Sequence, residues 1–175
     1  MALVDELVKQ SLFEGLNEME VSEIAQYVEE RIYTKGGFVF KEGDSTSGIY
    51  MVTTGKIEIK RKLQLDTKTK MLIMLRNIQS DEVRHTSHGW ENRFATVEKG
   101  QFFGELSVIE NRKKHSAEAV SVEESHLFLL KAEDFNKLET ASPLMMVKVM
   151  RAIAKGMSSN VRLLDKRILK ALMGN

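Results

Sequence analysis

The sequence predicts an α+β chain that is mainly β: an antiparallel barrel or jelly roll, flanked by N-terminal helices and followed by a long C-terminal helix. Three observations predict it. Apolar residues recur at helical spacing near both ends of the 175-residue chain. Between those ends, short runs rich in β-branched and aromatic residues alternate with turn glycines: Gly36-Gly37, Gly43-Asp44 and Gly55. Closely spaced short strands joined by turns favour an antiparallel roll over a parallel sheet.

In chain order, "GLNEMEVSEIAQYVEE" opens a helix. Asn17 followed by Glu20 has the layout of a capping box, and Val21, Ile24, Ala25 and Val28 fall on one helical face. From Arg31 the period changes to that of strands. Ile57 and Ile59 alternate with Lys56, Glu58 and Lys60, as on a half-buried strand. "DTKTK" at 66–70 is expected to be a hairpin turn leading into "MLIML". Residues 76–92 are polar and aperiodic, and are expected to form a solvated loop. His85 and His88 lie in it, but two histidines without carboxylate or cysteine support are a weak metal signal. "FATVEKGQFFGEL" resumes the strand pattern, "SAEAVSVEESHLFLL" predicts two strands about a turn near Glu123-Glu124, and "KAEDFNKLETA" a short helix.

Pro143 suits a first helical position and starts about thirty helical residues. Along them Ile153, Met157, Val161, Leu164, Ile168 and Leu172 step by four, four, three, four and four, close to a heptad seam. The predicted organisation is a domain over 1–142 with an insertion at about 66–92, then a 143–175 helix that forms a homodimer. The same seam also fits a helix folded back on its own barrel. From Pro143 onward seven basic residues face one acid, Asp165, giving that segment +6 and leaving about −5 on the remainder. Such a helix also suits an acidic protein or an anionic membrane surface, although basic residues flanking a seam are what a solvated dimer helix needs.

Composition excludes several classes. No cysteine means no disulfide framework, thiolate metal site or cysteine nucleophile, and a cytoplasmic setting fits. The N-terminus lacks a signal-peptide pattern, and no run of roughly 18 apolar residues predicts a membrane span. The net charge of +1 argues against a whole-chain nucleic-acid footprint. No nucleophile–base pair, carboxylate pair or metal cluster stands out, so no enzyme, cofactor or metal is expected.

The chemistry concentrates in "GQFFGELSVIENRKKHSAEAV". A helix opening near Gly104 presents backbone N–H groups without internal partners, an anion site that glycine lets a ligand approach closely. Glu105 repels phosphate but accepts hydrogen bonds, so it fits a ligand carrying hydroxyls beside its phosphate. Arg112, Lys113, Lys114 and His115 are the cations available on the returning strand. A sugar phosphate with a free hydroxyl meets all of these demands.

This stretch resembles the phosphate-binding cassette of the cyclic nucleotide-binding domain, in the cyclic AMP receptor protein and protein kinase A regulatory subunit superfamily. The "EGD" turn, the "GIYMVTTGKIEI" strand pair, the N-terminal helix and "HLFLLKAEDFNKLETASPLM" extend the resemblance over nearly the whole chain. It implies a double-stranded β-helix fold and a ligand such as cyclic AMP or cyclic GMP. By position, Gly104 and Glu105 take the backbone-phosphate and ribose 2′-hydroxyl roles. Leu106 and Ser107 add contacts from the same turn, Ser116 hydrogen-bonds the phosphate, and the base contact from the C-terminal helix falls at Asn160 or Val161, of which Asn160 can hydrogen-bond a purine edge. His115 occupies the family's arginine position, and Gly55 to Gly104 is about twenty residues longer than usual. Replacing an arginine fork by histidine costs about 1.5–3 kcal/mol, roughly ten- to a hundredfold in affinity. Histidine as the phosphate partner also makes binding strengthen from pH 8 to 6.

The expectation is therefore a stand-alone regulatory sensor that binds cyclic nucleotide weakly and signals to an unknown effector protein. No room follows Leu172 for a DNA-recognition helix, so no DNA partner is expected. The alternative is a degenerate, ligand-free domain acting in dimerisation or protein interaction.

Overall fold

The computed structural model describes residues 2–64, 66–69, 71, 83–86 and 89–173. Its helices are α1 (Ala2–Leu7), α2 (Glu18–Ala25), α3 (Glu105–Ile109), α4 (Ala132–Ala141) and α5 (Pro143–Met173), with a 3-10 turn at Ser11–Phe13. The strands are β1 (Val28–Tyr33), β2 (Phe38–Phe40), β3 (Gly48–Thr54), β4 (Lys56–Lys62), β5 (Val83–Thr86), β6 (Gly89–Glu98), β7 (Phe102–Phe103), β8 (Glu118–Ser121) and β9 (Ser125–Lys131). They pair antiparallel in two sheets, ordered β1-β9-β3-β7 and β2-β8-β4-β6-β5. This is the mainly β, antiparallel roll with helices at both ends that the sequence predicts.

The capping box on α2 forms as expected. The Glu20 amide donates to Asn17 Oδ1 at 2.9 Å and the Asn17 amide to Glu20 Oε2 at 2.8 Å. Val28 does not continue that helix. It starts β1, paired with Leu130, because the sheet ladder outweighs one further helical contact.

The insertion differs from the expectation at both ends. Asp66 accepts from the Thr69 amide and hydroxyl, each at 2.8 Å, and caps a helical turn where a hairpin turn was expected. Residues 83–86 and 89–92, assigned to a solvated loop, are strands: Val83 pairs with Asn92 and Lys62 with Glu91. Residues 83–86 pair with β6 along the backbone, and across β4 and β6 Lys60 meets Glu91 at 3.1 Å and Arg93 meets Glu58 at 2.8 Å. Among the described residues, β4 ends at Lys62 and the strand pairing resumes at Val83. The remainder of the 76–92 stretch, including His88, lies outside the described residues. His85 packs edge-on against Trp90 with ring centroids 5.1 Å apart.

Two cores result. One fills the roll with Phe40, Tyr50, Val52, Ile57, Ile59, Phe103, Ala119, Leu127 and Leu129. The other lies between the β1-β9-β3-β7 sheet and the helices, and includes Ile24, Ile49, Phe135, Met145, Met146, Val149 and Ile153. Half of α5 therefore folds back on its own domain. Lys148 reaches Glu20 at 2.7 Å and Lys155 reaches Glu14 at 2.6 Å, aligning the helix with α2 and the 3-10 turn before it. At Gly156 the helix passes so close over Phe102 that a Cβ would stand 3.1 Å from Cζ of its ring.

This divides the predicted seam. Ile153 is 1% exposed in the chain's own core, whereas Met157, Val161 and Leu164 are 40%, 66% and 56% exposed. The side chains of Ile168 and Leu172 lie outside the described residues. Ile153→Ala is expected to lose about 2–5 kcal/mol of stability, read by urea unfolding and independent of protein concentration. A concentration-dependent loss would instead assign Ile153 to a subunit interface.

Candidate functional site

Gly104 sits between β7 and α3 with φ 88°, in the left-handed region. A Cβ there would meet the Gly48 carbonyl oxygen at 2.6 Å, so both the conformation and the close approach require glycine. The consequence is that the start of α3 lies against the start of β3, beside Ser47 and Tyr50.

Glu105, the first residue of α3, is 9% exposed. Burial raises its carboxyl pKa above the ordinary 4.5, opposed by a hydrogen bond from its own amide. No cation pairs with it among the described residues. A buried acceptor of this kind is complementary to hydroxyl donors. Leu106 is 47% exposed, whereas Ser107 is buried and its carbonyl receives the Arg112 amide at 2.9 Å.

His115 and Ser116 approach from the other side, and the loop after β2 fixes them. The Gly43 amide donates to the His115 carbonyl and the His115 amide to the Asp44 carbonyl, both at 2.9 Å. Thr46 adds two bonds, its amide to the Lys113 carbonyl at 3.1 Å and its hydroxyl to the Arg112 carbonyl at 2.6 Å. The "EGD" turn thus acts as a brace for the cassette loop.

The His115 side chain does not behave as a phosphate cation. It is 3% exposed and stacks on Phe40 with ring centroids 3.7 Å apart at 6°. The Ser47 amide donates to its Nε2 at 3.3 Å, and the Ser47 hydroxyl lies 3.1 Å from the same atom. An amide can only donate, so Nε2 accepts and the ring is neutral, with its proton on Nδ1. Burial holds the pKa below 6.5, with nearby Asp44 opposing. This burial works against the charging from pH 8 to 6 expected from the sequence.

His115 ends a hydrogen-bonded chain inside the roll. The Tyr50 hydroxyl donates to Ser47 Oγ at 2.9 Å, and Tyr33, bonded to Tyr50, is pushed up to about 12 mainly by burial. Phe103 stacks on Tyr50 with ring centroids 5.3 Å apart. Aromatic rings thus occupy the space beneath Gly104. Two surface cavities, of about 450 and 600 Å³, lie elsewhere. The larger touches Thr46, Ser47 and Tyr50, and neither is lined by Gly104, Glu105 or Ser116.

Gly104, Glu105, Ser107, His115 and Ser116 are thus held around one rim of the roll. Asn160 is not brought to it: it is exposed, four residues beyond the Phe102 crossing. Sequence reasoning missed one rim residue, Arg61, whose Nε donates to the Ser116 carbonyl at 3.0 Å. The signal was present, because Arg61 extends the Ile57–Ile59 alternation by two residues onto the same face of β4.

Comparison with known proteins agrees with this architecture. Residues 78–141 match the family model for the cyclic nucleotide-binding domain. The cyclic AMP receptor protein of Thermus thermophilus is 30% identical over 133 residues, covering 76% of this chain and 50% of that protein. The chain thus spans half the length of that relative. The crystal structure of the catabolite activator protein of Thermus thermophilus superposes with TM-score 0.64 and 26% identity, over 92% of this chain and 64% of that one. A cyclic nucleotide-binding domain from Methylobacillus flagellatus gives TM-score 0.72 at 18% identity, over 97% and 82% of the two chains. No described helix is long and apolar enough to cross a membrane.

The burial of Glu105, with no cation partner among the described residues, gives the site a testable cost. Its folded pKa lies above the unfolded 4.5, so its contribution favours folding below pH 4.5 and is lost as pH rises through the folded value. Glu105→Gln is expected to raise the unfolding midpoint at pH 7.5, with the gain disappearing below pH 4.5. Equal midpoints at both pH values in a thermal melt would remove this account.

Proposed function

We propose that this chain, which carries a cyclic nucleotide-binding domain, is a non-catalytic regulatory module that takes a cyclic nucleotide at the rim between α3 and residues 115–116. The observation that carries the reading is Glu105, a buried carboxylate with no cation partner among the described residues, beside a glycine that admits close approach to the backbone. A ribose hydroxyl would donate to that carboxylate, and the phosphate would meet the backbone of Gly104–Leu106 and the Ser116 hydroxyl. Leu106, being exposed, would lie against the ligand's outer edge, while Ser107 supports the turn from within.

The signal would leave through α5. Phe103 lies in the core of the roll and its neighbour Phe102 lies under Gly156, so one two-residue strand touches both the site and the helix. A ligand that shifts β7 would move that crossing, provided it binds the two positions with different affinity. The exposed Met157, Val161 and Leu164 beyond it would pair with a second copy. Val161→Asp together with Leu164→Asp should then halve the solution mass measured by light scattering without lowering helicity. A mass that is monomeric before mutation removes the dimer.

A second reading rests on the aromatic filling beneath Gly104 and on the neutral His115: a ligand-free module that keeps the fold for protein contacts. Calorimetric titration with cyclic AMP and cyclic GMP decides between them. Saturable heat with weaker than micromolar affinity is expected for the first reading. No heat at millimolar nucleotide, with the protein folded, leaves the second.

A further inference from the structure

We infer that Arg61, rather than His115, supplies the positive charge for a phosphate bound at this rim; the inference rests on the nucleotide reading above. Three observations lead to it.

The first is position. Ile57 and Ile59 are 0% and 8% exposed on the face of β4 that lines the roll, and Arg61 is the next residue on that face. β4 pairs with β8 up to Lys60–Glu118, so Arg61 lies where the ladder ends and the chain turns back through Ala117, Ser116 and His115. There its Nε bonds the Ser116 carbonyl at 3.0 Å, which brings the guanidinium beside the cassette from a strand 55 positions away in sequence.

The second is the state of His115. Its ring is neutral, stacked on Phe40 and engaged with Ser47, so it carries no charge to offer an anion near neutral pH. Turning it outward would break that stack and leave the Ser47 amide without its partner.

The third is the placement of the remaining cassette cations. Arg112, Lys113 and Lys114 are exposed, as Arg61 is, but their main chains are bound to Thr46 and Ser45 of the bracing loop, whereas the Arg61 side chain is bonded to the Ser116 carbonyl. Arginine also has the planar fork that binds a phosphate through two parallel charged bonds, which lysine lacks. Arg61 comes from the β4–β8 side, across the rim from the start of α3. A cyclic phosphodiester held by the Gly104–Leu106 backbone would therefore be neutralised from the opposite side, while its ribose faces Glu105.

The test is calorimetric titration of cyclic AMP and cyclic GMP into the full chain and four variants. Arg61→Gln is expected to weaken binding by about ten- to a hundredfold, the worth of one charge-assisted phosphate contact. Arg61→Lys, which keeps the charge but not the fork, should recover part of the loss. Lys113→Gln and Lys114→Gln should each stay within about threefold of the parent, because point charges lack the fork that binds a phosphate through two bonds. Because arginine stays protonated, parent affinity should be flat between pH 8 and 6. Unchanged binding by Arg61→Gln in a parent that binds overturns this assignment and leaves the nucleotide reading intact. Loss confined to a lysine variant, or affinity rising steeply toward pH 6, also overturns it. A folded parent that binds neither nucleotide overturns both. Unfolding midpoints of all variants are measured alongside. Loss in Arg61→Gln with no recovery in Arg61→Lys and a matching drop in midpoint assigns Arg61 to loop bracing and overturns its role as the phosphate cation.

Discussion

The imidazole of His115 lies flat on Phe40 and accepts from Ser47, while its main chain is bonded on both sides to the Gly43–Asp44 turn. The geometry of the rim depends on this clamp. It sets where Ser116 leaves the roll, and hence where the Arg61 guanidinium meets it. It also draws the loop after β2 toward α3, so that Gly48 can touch Gly104. Because the clamp requires a neutral, buried ring, the same interaction that shapes the rim withdraws the residue at 115 from charge chemistry. A buried neutral imidazole that stacks on a ring and accepts at Nε2 is stable; a buried charged one without a counter-ion is not.

The two cores are joined at few places, and β7 is one of them. Phe103 belongs to the core inside the roll, and Phe102 packs against the helical core and α5. Close packing makes such a junction respond as a unit, since neither ring has space to yield alone. The C-terminal helix is therefore divided by function along its length. Its first half, through Ile153, is an internal part of the domain, and the exposed apolar residues beyond Gly156 are available for association. The salt bridges from Lys148 and Lys155 add alignment more than energy, being partly exposed.

Much of the fold was legible in the sequence because its signals are local. The Asn17–Glu20 box, the turn glycines, the alternation at Ile57–Ile59 and the proline at 143 each act over a few residues, and each forms as expected. The errors fall where distant residues decide. Val28 suits a helical face but pairs with Leu130, over a hundred positions away. Residues 83–86 and 89–92 look like loop because their strands show no apolar alternation and form by pairing with each other and, at Glu91 and Asn92, with β4. Ile153 fits a heptad, but the domain's own core claims it before any partner helix can.

At the site, the sequence alone determined the chemistry at hand: a glycine before an acid, a helical turn, and a basic run eleven positions on. Those are properties of residue type and spacing, and they carry the resemblance to cyclic nucleotide-binding domains. Only the tertiary structure decided which groups face the rim and in what charge state. Spacing along the chain placed His115 opposite Gly104, but the direction of its ring follows from Phe40 and Ser47, two residues of another segment. The alternation at Ile57–Ile59 gives Arg61 its face of β4, but its contact with Ser116, 55 positions away, forms only through β4–β8 pairing. Charge at a binding site is set by burial and partners, and both exist only once the chain has folded.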